Sequence, residues 1–279
     1  MLSLRRVLWA TDLSPESDRA LDHARFLAER FSASLELYHA VGVPDHRFAH
    51  WAFAHGHEIW ADAERHAREC LARRAEGLHV SHRVVVERSS SVCRSLADHI
   101  QKTQPDLTVL ATHGRSGFAH LVLGSVSEEV VQNVFRPVLW VREPDHGPAL
   151  PYRRLLVPTD FSVASRLAFP MAALFARTFE AEVIALHVTP PRSHGPQAAP
   201  SPPTEAALVS LLADDFAGVA VRPMILAGPV WATIADVARR ERADLVLMAT
   251  RGHDSVADRI LGSNTERVVR HGPCPVLVA

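Results

Sequence analysis

The sequence predicts an α/β protein built from two tandem copies of one domain, each a doubly wound parallel sheet of five strands covered by helices on both faces. Three observations carry this. First, the chain repeats itself. Residues 106–114 (DLTVLATHG) align with 244–252 (DLVLMATRG) at an offset of 138, and the match runs on through Leu-Gly-Ser and Pro-Val-Leu. Near the starts, residues 9–14 align with 157–162 at an offset of 148, so copy one carries about ten extra residues in its middle. Second, each copy alternates short apolar runs with segments of helical periodicity. Third, 279 residues suit two domains of ordinary size.

The elements follow in order. Residues 5–10 are a short apolar run, the mark of a strand buried on both faces. Ser14-Pro15 reads as a helix N-cap followed by proline at the first helical position, and Leu21, Ala24, Phe26, Leu27 and Phe31 continue at helical spacing. Residues 35–41 and 80–86 are the second and third strands. A helix over 91–102 presents Val92, Leu96 and Ile100 on one face. Residues 107–111 form the fourth strand, 124–134 a helix and 137–141 the fifth strand. Copy two repeats this with strands near 153–158, 182–188, 219–226, 244–249 and 275–279. The copies span 1–143 and 152–279, joined by a Pro/Gly-rich linker over 143–151. Alternating strands and helices imply right-handed crossovers and parallel pairing. Between the second and third strands the copies differ. Residues 45–74 contain helix, with Phe48, Trp51, Ile59 and Trp60 among polar residues and the aromatics reading as packing rather than a binding site, whereas 189–203 hold six prolines in fifteen residues and read as an extended loop.

Composition narrows the function. Lys plus Arg is 30 and Asp plus Glu is 31, a net charge of −1, which provides no field for nucleic acid. No apolar run is long enough to cross a bilayer, and the first residues carry no signal-peptide core, so the expectation is a cytoplasmic protein without membrane partners. Three distant cysteines, Cys70, Cys93 and Cys274, fit a reducing compartment without a disulfide framework; Cys274, between two prolines, reads as a small buried residue.

The informative loops follow the fourth strands. Copy one runs Ala111-Thr-His-Gly114, nine residues, then Gly124-Ser125; copy two runs Ala249-Thr-Arg-Gly252, nine residues, then Gly262-Ser263. Each opens at the carboxyl end of a buried strand and ends at a glycine that starts a helix. Glycine lets the backbone approach an anion, and the helix start offers unpaired N–H groups and a positive dipole end. That is the chemistry of phosphate cradling, and its duplication at identical spacing strengthens it.

Thr11-Asp12 after strand one, Tyr38-His39-Ala40 at the end of strand two, Ala-Thr-His-Gly-Arg-Ser-Gly at 111–117, Leu-Gly-Ser and Pro-Val-Leu together resemble the universal stress protein family. Copy two shows the same set, with Thr159-Asp160, Leu186-His187-Val188, the Gly252 to Gly262-Ser263 spacing and Pro-Val-Leu at 275–277. The resemblance covers nearly the whole chain, as a tandem member. It implies a Rossmann-like sheet of order 3-2-1-4-5, in which strands one and four meet where the order reverses and nucleotides bind. It implies a stress-response role with ATP, accompanied by magnesium, as the ligand. Thr11 with Asp12 and Thr159 with Asp160 then lie by the ribose, and the backbones of Ala40 and Val188 read the adenine edge. The family loop Gly-x2-Gly-x9-Gly-Ser/Thr maps onto Ala111, Gly114, Arg115, Ser116, Gly117, Gly124, Ser125 and Val126, and onto Ala249, Gly252, His253, Gly262, Ser263 and Asn264. Alanine stands at the first glycine in both copies. The resemblance also implies that the fifth strands pair antiparallel, making the copies an intramolecular pseudo-dimer, and leaves a homodimer of tandem chains open.

The two loops differ in charge. Copy one offers Arg115 and Gly117 where copy two has His253, Asp254 and Ser255, with Asp258 one turn on, so copy one reads as the tighter site. The Walker pattern Gly-x4-Gly-Lys-Ser/Thr does not occur. The reading is therefore a nucleotide-binding module or switch with no catalytic residues, the alternatives being a slow ATPase and a metal-binding protein. For the latter, His46, His50, His55, His57, His66 and Cys70 include i,i+4 pairs suited to zinc, although a solvated His-rich helix explains them as well. His39 and His187 recur at strand ends and read as packing beside the pocket. Replacing Gly124 with valine should abolish ATP binding at copy one, measured by calorimetry, while circular dichroism shows the fold intact.

Overall fold

The computed structural model describes residues 3–43, 56–112, 136–142, 144–145, 149–189, 203–250 and 262–279, with the backbone alone at 56–58. The chain divides into two compact units, residues 3–141 and 142–279. In the first, β1 (Arg6–Ala10), α1 (Pro15–Phe31), β2 (Ser34–Gly42), α2 (Gly56–Ala75), β3 (His82–Ser89), α3 (Val92–Thr103), β4 (Leu107–Ala111) and β5 (Val138–Val141) follow one another. All its strands pair in parallel, in the order β3-β2-β1-β4-β5. The second unit holds β6 (Arg154–Pro158), α4 (Phe169–Phe179), β7 (Glu182–Thr189), α5 (Glu205–Leu212), β8 (Val221–Ala227), α6 (Val230–Arg240), β9 (Leu245–Met248), α7 (Ser263–His271) and β10 (Val276–Val278). Its order is β8-β7-β6-β9-β10, again all parallel. Each copy is thus a five-stranded sheet of order 3-2-1-4-5, as expected.

The central strands are apolar because helices cover both faces. Val7, Leu8 and Trp9 of β1 and Leu155, Leu156 and Val157 of β6 are buried, as are Leu245, Val246 and Leu247 of β9. The expected cap forms at Ser14, whose Oγ accepts the Ser17 N–H (3.3 Å) ahead of α1; Ser91, read as the first residue of its helix, instead caps α3, its Oγ accepting the Arg94 N–H (3.3 Å). The face that α1 buries is not the one the large side chains suggest. Ser17, Ala20, Ala24, Leu27 and Ala28 are buried, while Leu21, Phe26 and Phe31 are only half-buried. A stripe of alanines lets the helix axis approach the sheet closely. His23 shares this face, and burial pushes its pKa down to about 4, which keeps the ring neutral.

The third strand begins and ends later than its apolar run. Val84–Val86 is only its middle, and the flanking charged residues continue the pairing with β2, from His82 opposite Leu35 to Ser89 opposite Gly42. Charged side chains suit a strand at the end of its sheet, where they reach water. In copy two, a 3-10 turn (Ser165–Ala168) precedes α4, where copy one has one unbroken helix. Pro170 accounts for this, since it has no N–H to donate back into the turn. A helix the apolar pattern did not reveal, α5, is capped by Thr204, which accepts the Ala207 N–H (3.2 Å). In the stretch between second and third strands of copy one, α2 confirms the expected helix; Trp60 is half-buried. Phe48, Trp51, the helix at 124–134 and residues 190–202 lie outside the described residues.

Residues expected to link the copies pack onto the second unit. The Asp145 N–H donates to Pro273 O (2.9 Å), Arg239 pairs with Asp145 (3.2 Å), and Arg142 donates to Arg270 O (3.0 Å).

One carboxylate fixes the start of each sheet. Asp106 Oδ2 accepts the N–H groups of Arg5 (2.8 Å) and Arg6 (2.9 Å), and Asp244 Oδ2 accepts those of Arg153 (2.7 Å) and Arg154 (2.8 Å). The carboxylate at the head of the fourth strand thus sets the register of the first. Arg6 adds bonds to Thr103 O (2.8 Å) and Gln104 O (2.7 Å), which close the end of α3. Asp106→Ala and Asp244→Ala should each lower the unfolding free energy by about 1–3 kcal/mol, read by denaturant titration, because two charge-assisted bonds are lost.

Candidate functional site

Both sheets reverse strand order between their first and fourth strands, and the chain leaves both strands at the same carboxyl end. Here β1 gives way to a turn that is the same, bond for bond, in copy two. Thr11 Oγ1 lies 2.5 Å from Ser17 Oγ and accepts the Leu13 N–H (2.9 Å); Thr159 Oγ1 lies 2.8 Å from Ser165 Oγ and accepts the Phe161 N–H (3.2 Å). Asp12 Oδ1 accepts the Ser14 N–H (3.0 Å) and hydroxyl (2.6 Å), and Asp160 Oδ1 accepts the same two groups of Ser162 (3.0 and 2.5 Å). Ser17 and Ser165 donate their hydroxyls to Ser14 O (2.8 Å) and Ser162 O (2.9 Å). Leu13 (φ 65°) and Phe161 (φ 64°) sit in the left-handed region, which these bonds hold against its cost. Each turn therefore brings one carboxylate to the switch point in a fixed pose.

The second strand supplies the other wall. The last register pairs with the first strand are Ala10 with Tyr38 and Pro158 with Leu186, yet β2 runs on to Gly42 and β7 to Thr189. Ala40 and Val188 lie in these extensions, paired with Glu87 and Leu226 of the third strands. Just before them, His39 Nδ1 meets Thr11 O at 2.7 Å and His187 Nδ1 meets Thr159 O at 2.9 Å. The two histidines therefore join the second strand to the Thr-Asp turn, a more specific task than packing.

The far side is visible in copy two. Ala249 follows β9, and Gly262 opens α7 without a side-chain cap while its own N–H donates to Thr250 O (2.7 Å). Thr265 Oγ1 donates to Ala249 O (3.1 Å), tying the first turn of α7 to the strand end. The first-turn amides of Ser263, Asn264 and Thr265 are those that an α-helix leaves without intrahelical acceptors. In copy one, Ala111 ends β4 at the corresponding place. Gly114, Arg115, Ser116, Gly117, Gly124, Ser125 and Val126, with Gly252 and His253, lie outside the described residues.

Copy one also braces its turn from α2. Arg74 grips Asp18 through Nε (2.6 Å) and a second nitrogen (3.1 Å) and reaches Leu13 O (3.4 Å). On the same helix, His66 Nε2 lies 3.4 Å from the buried Cys70 Sγ, to which Arg73 also donates (3.3 Å). No group of three potential ligands is arranged for a metal among the described residues; His46, His50 and His55 lie outside them. Cys274 is buried, and burial pushes its thiol up to about 12, as suits a packing residue. The members of the site that sequence reading passed over are Ser17 and Ser165. Their signal was present in the repeated pattern Thr-Asp-x-Ser-x-x-Ser at 11–17 and 159–165.

Comparison with known proteins places this geometry among relatives. The model of the universal stress protein family matches residues 3–142 and again 151–279. A universal stress protein of Mycolicibacterium smegmatis is 27% identical over 292 aligned residues, covering 98% of this chain and 96% of the relative. One from Synechocystis is 31% identical over 138 residues, covering 47% of this chain and 88% of its own length. The crystal structure of a universal stress protein from Archaeoglobus fulgidus superposes with a TM-score of 0.75 at 21% identity, over 98% of this chain and 97% of that one, a likeness of fold.

Thr11→Val and Thr159→Val test the turn. Each keeps the side chain's shape but leaves a buried serine hydroxyl and a backbone N–H short of a partner. Each should cost about 1–3 kcal/mol in denaturant unfolding of the full chain, with similar losses in the two copies.

Proposed function

The chain belongs to the universal stress protein family, with two copies of its domain, and on that premise we propose that it binds ATP at the carboxyl ends of β1 and β4 and of β6 and β9. It works as a nucleotide-dependent binding module or switch. The observation that carries the reading is the duplicated Thr-Asp-x-Ser turn. It holds a carboxylate at the switch point of each sheet, opposite, in copy two, an uncapped glycine helix start. A carboxylate there accepts hydrogen bonds from ribose hydroxyls, and free first-turn amides donate to phosphate oxygens. Asp12 and Asp160 would take the ribose, the backbones of Ala40 and Val188 the adenine edge, and the amides from Ser263 onward the phosphates of copy two. Magnesium, when bound with the nucleotide, would offset the charge of the polyphosphate. The turn residues hold their carboxylates in pre-set poses; Asp12 and Asp160 already accept two bonds each, which suits binding and orientation.

Copy one is the tighter site, because its sequence offers Arg115 where copy two has His253 followed by Asp254. Solvent and magnesium reduce the Coulomb difference to about 1–2 kcal/mol, roughly tenfold in affinity. The pairing of the fifth strands as a pseudo-dimer, and a cytoplasmic setting, belong to the same proposal. Mass spectrometry of the purified chain should find an adenine nucleotide. Calorimetry should show two sites, with Gly124→Val removing the tighter and Gly262→Val the weaker. Absence of ATP binding to the intact chain would defeat the reading, and steady turnover of ATP with magnesium would replace the switch with the slow ATPase.

A further inference from the structure

Copy one holds a half-buried ionic cluster centred on His99, whereas copy two keeps only the outer arginine, Arg222, paired with Glu182 and Glu241, beside apolar residues. Under α3, His99 lies between two carboxylates: Nδ1 is 3.1 Å from Glu87 Oε1, and Nε2 is in hydrogen-bond contact with Glu36 Oε1. Arg83 of β3 donates its Nε–H to Glu36 Oε2 (2.6 Å). Tyr38 OH and Ser95 Oγ, 2.8 Å apart, lie 3.0 and 3.1 Å from Glu87 Oε2. The Tyr38 ring packs against the imidazole with centroids 4.5 Å apart, and His99 is 7% exposed. A carboxylate only accepts. Both ring nitrogens face one, so the arrangement is satisfied only by the doubly protonated imidazolium; a neutral ring would set a lone pair against a carboxylate. The groups facing His99 are thus Glu36 and Tyr38 from β2 and Glu87 from β3, with Arg83 behind Glu36, while Asp98 of α3 adds a negative charge that acts on Tyr38. With the ring charged, His99 and Arg83 balance Glu36 and Glu87.

The pKa directions agree. Burial opposes the charge on His99, but the bonds from Glu36 and Glu87 outweigh it and hold the ring above 6.5. Burial likewise opposes the charge on Glu36 and Glu87, and their hydrogen bonds outweigh it, so both carboxyls lie below the ordinary range. Burial raises the Tyr38 hydroxyl and keeps it neutral.

Copy two shows that the fold does not need this cluster. The repeat places Ile184, Leu186 and Val237 at the positions of Glu36, Tyr38 and His99, and the sheet register places Leu226 at that of Glu87. Ile184, Leu186 and Val237 are fully buried. Apolar packing of this kind is commonly as stable as a buried ion pair or more so. What the cluster adds is dependence on a proton. It also touches the site, since Tyr38 O accepts the Thr11 N–H (3.0 Å), His39 holds Thr11 O, and Ala40 is the register partner of Glu87.

We propose that copy one is proton-gated: the imidazolium of His99, held between Glu36 and Glu87, locks the end of β2 and with it the nucleotide site, while copy two carries no such lock. The gating of ATP rests on the nucleotide reading above; the lock does not. A ring whose folded pKa exceeds its unfolded value stabilises fully below the unfolded value, and that stabilisation is lost as pH rises through the folded one. The carboxylates act oppositely, losing their contribution as pH falls through their depressed values. The lock is therefore strongest in mildly acid solution and loosens on the alkaline side.

Hydrogen exchange of the full chain, corrected for intrinsic rates, tests this between pH 6 and 9. Protection of residues 34–42 should fall by up to about tenfold per pH unit above about 6.5, then level off. His99→Gln should abolish that slope and leave residues 182–189 unchanged. The combined variant Glu36→Ile, Tyr38→Leu, Glu87→Leu, His99→Val copies the second domain and should fold with a flat profile. It serves if His99→Gln fails to fold. A slope that is absent in the wild type, or that survives in either variant, overturns the lock. ATP calorimetry at pH 6.5 and 8.5 in a Gly262→Val background should show copy one weakening at the higher pH. Equal affinities there would overturn the gating with the lock intact, and no binding at either pH would overturn the nucleotide reading as well.

Discussion

Each copy depends on turning its central strand back into a helix within a few residues of leaving the sheet. The hydroxyl pair Thr11–Ser17, and its twin Thr159–Ser165, closes that turn. A strand buried on both faces has no room for polar chemistry along its length. Whatever the domain does must happen where β1 and β4, or β6 and β9, run out. The turn must therefore be rigid and polar at once. It achieves both by turning its side-chain oxygens onto its own backbone N–H groups and hydroxyls, which fixes a left-handed residue and holds one carboxylate at the switch point.

The duplication separates what the architecture requires from what one copy has added. Shared between the copies are the carboxylate clamp at the head of the fourth strand, the Thr-Asp-x-Ser-x-x-Ser turn and the histidine that ties the second strand to it. These lie at the two ends of the sheet, one setting register and the other presenting polar groups. What differs lies beneath the third helix and between the second and third strands. There copy one has an ionic cluster and a twenty-residue helix, and copy two has apolar packing and the shorter α5. Divergence at these places leaves the switch-point geometry intact because neither contributes a residue to the turn itself, although the cluster reaches it through Tyr38 and α2 through Arg74.

Read alone, the sequence yields the repeat, the strand and helix alternation, the N-cap at Ser14 and the Thr-Asp pairs that follow the first strands. Each of these is a local or periodic property: an apolar run, a capping hydroxyl, a spacing shared by two copies. It did not show which face of α1 is buried, because the alanines that permit close packing give a weaker signal than large apolar residues. It also undershot β3, whose charged ends pair with β2 regardless of hydropathy. Only the tertiary structure could decide that His39 bonds to Thr11 O. Nor could the sequence show Glu36 and Glu87, far apart in the chain, converging on the buried imidazole of His99. Hydrogen bonds between side chains depend on distances across strands and helices, and those are set by register and packing, which no single segment of sequence contains.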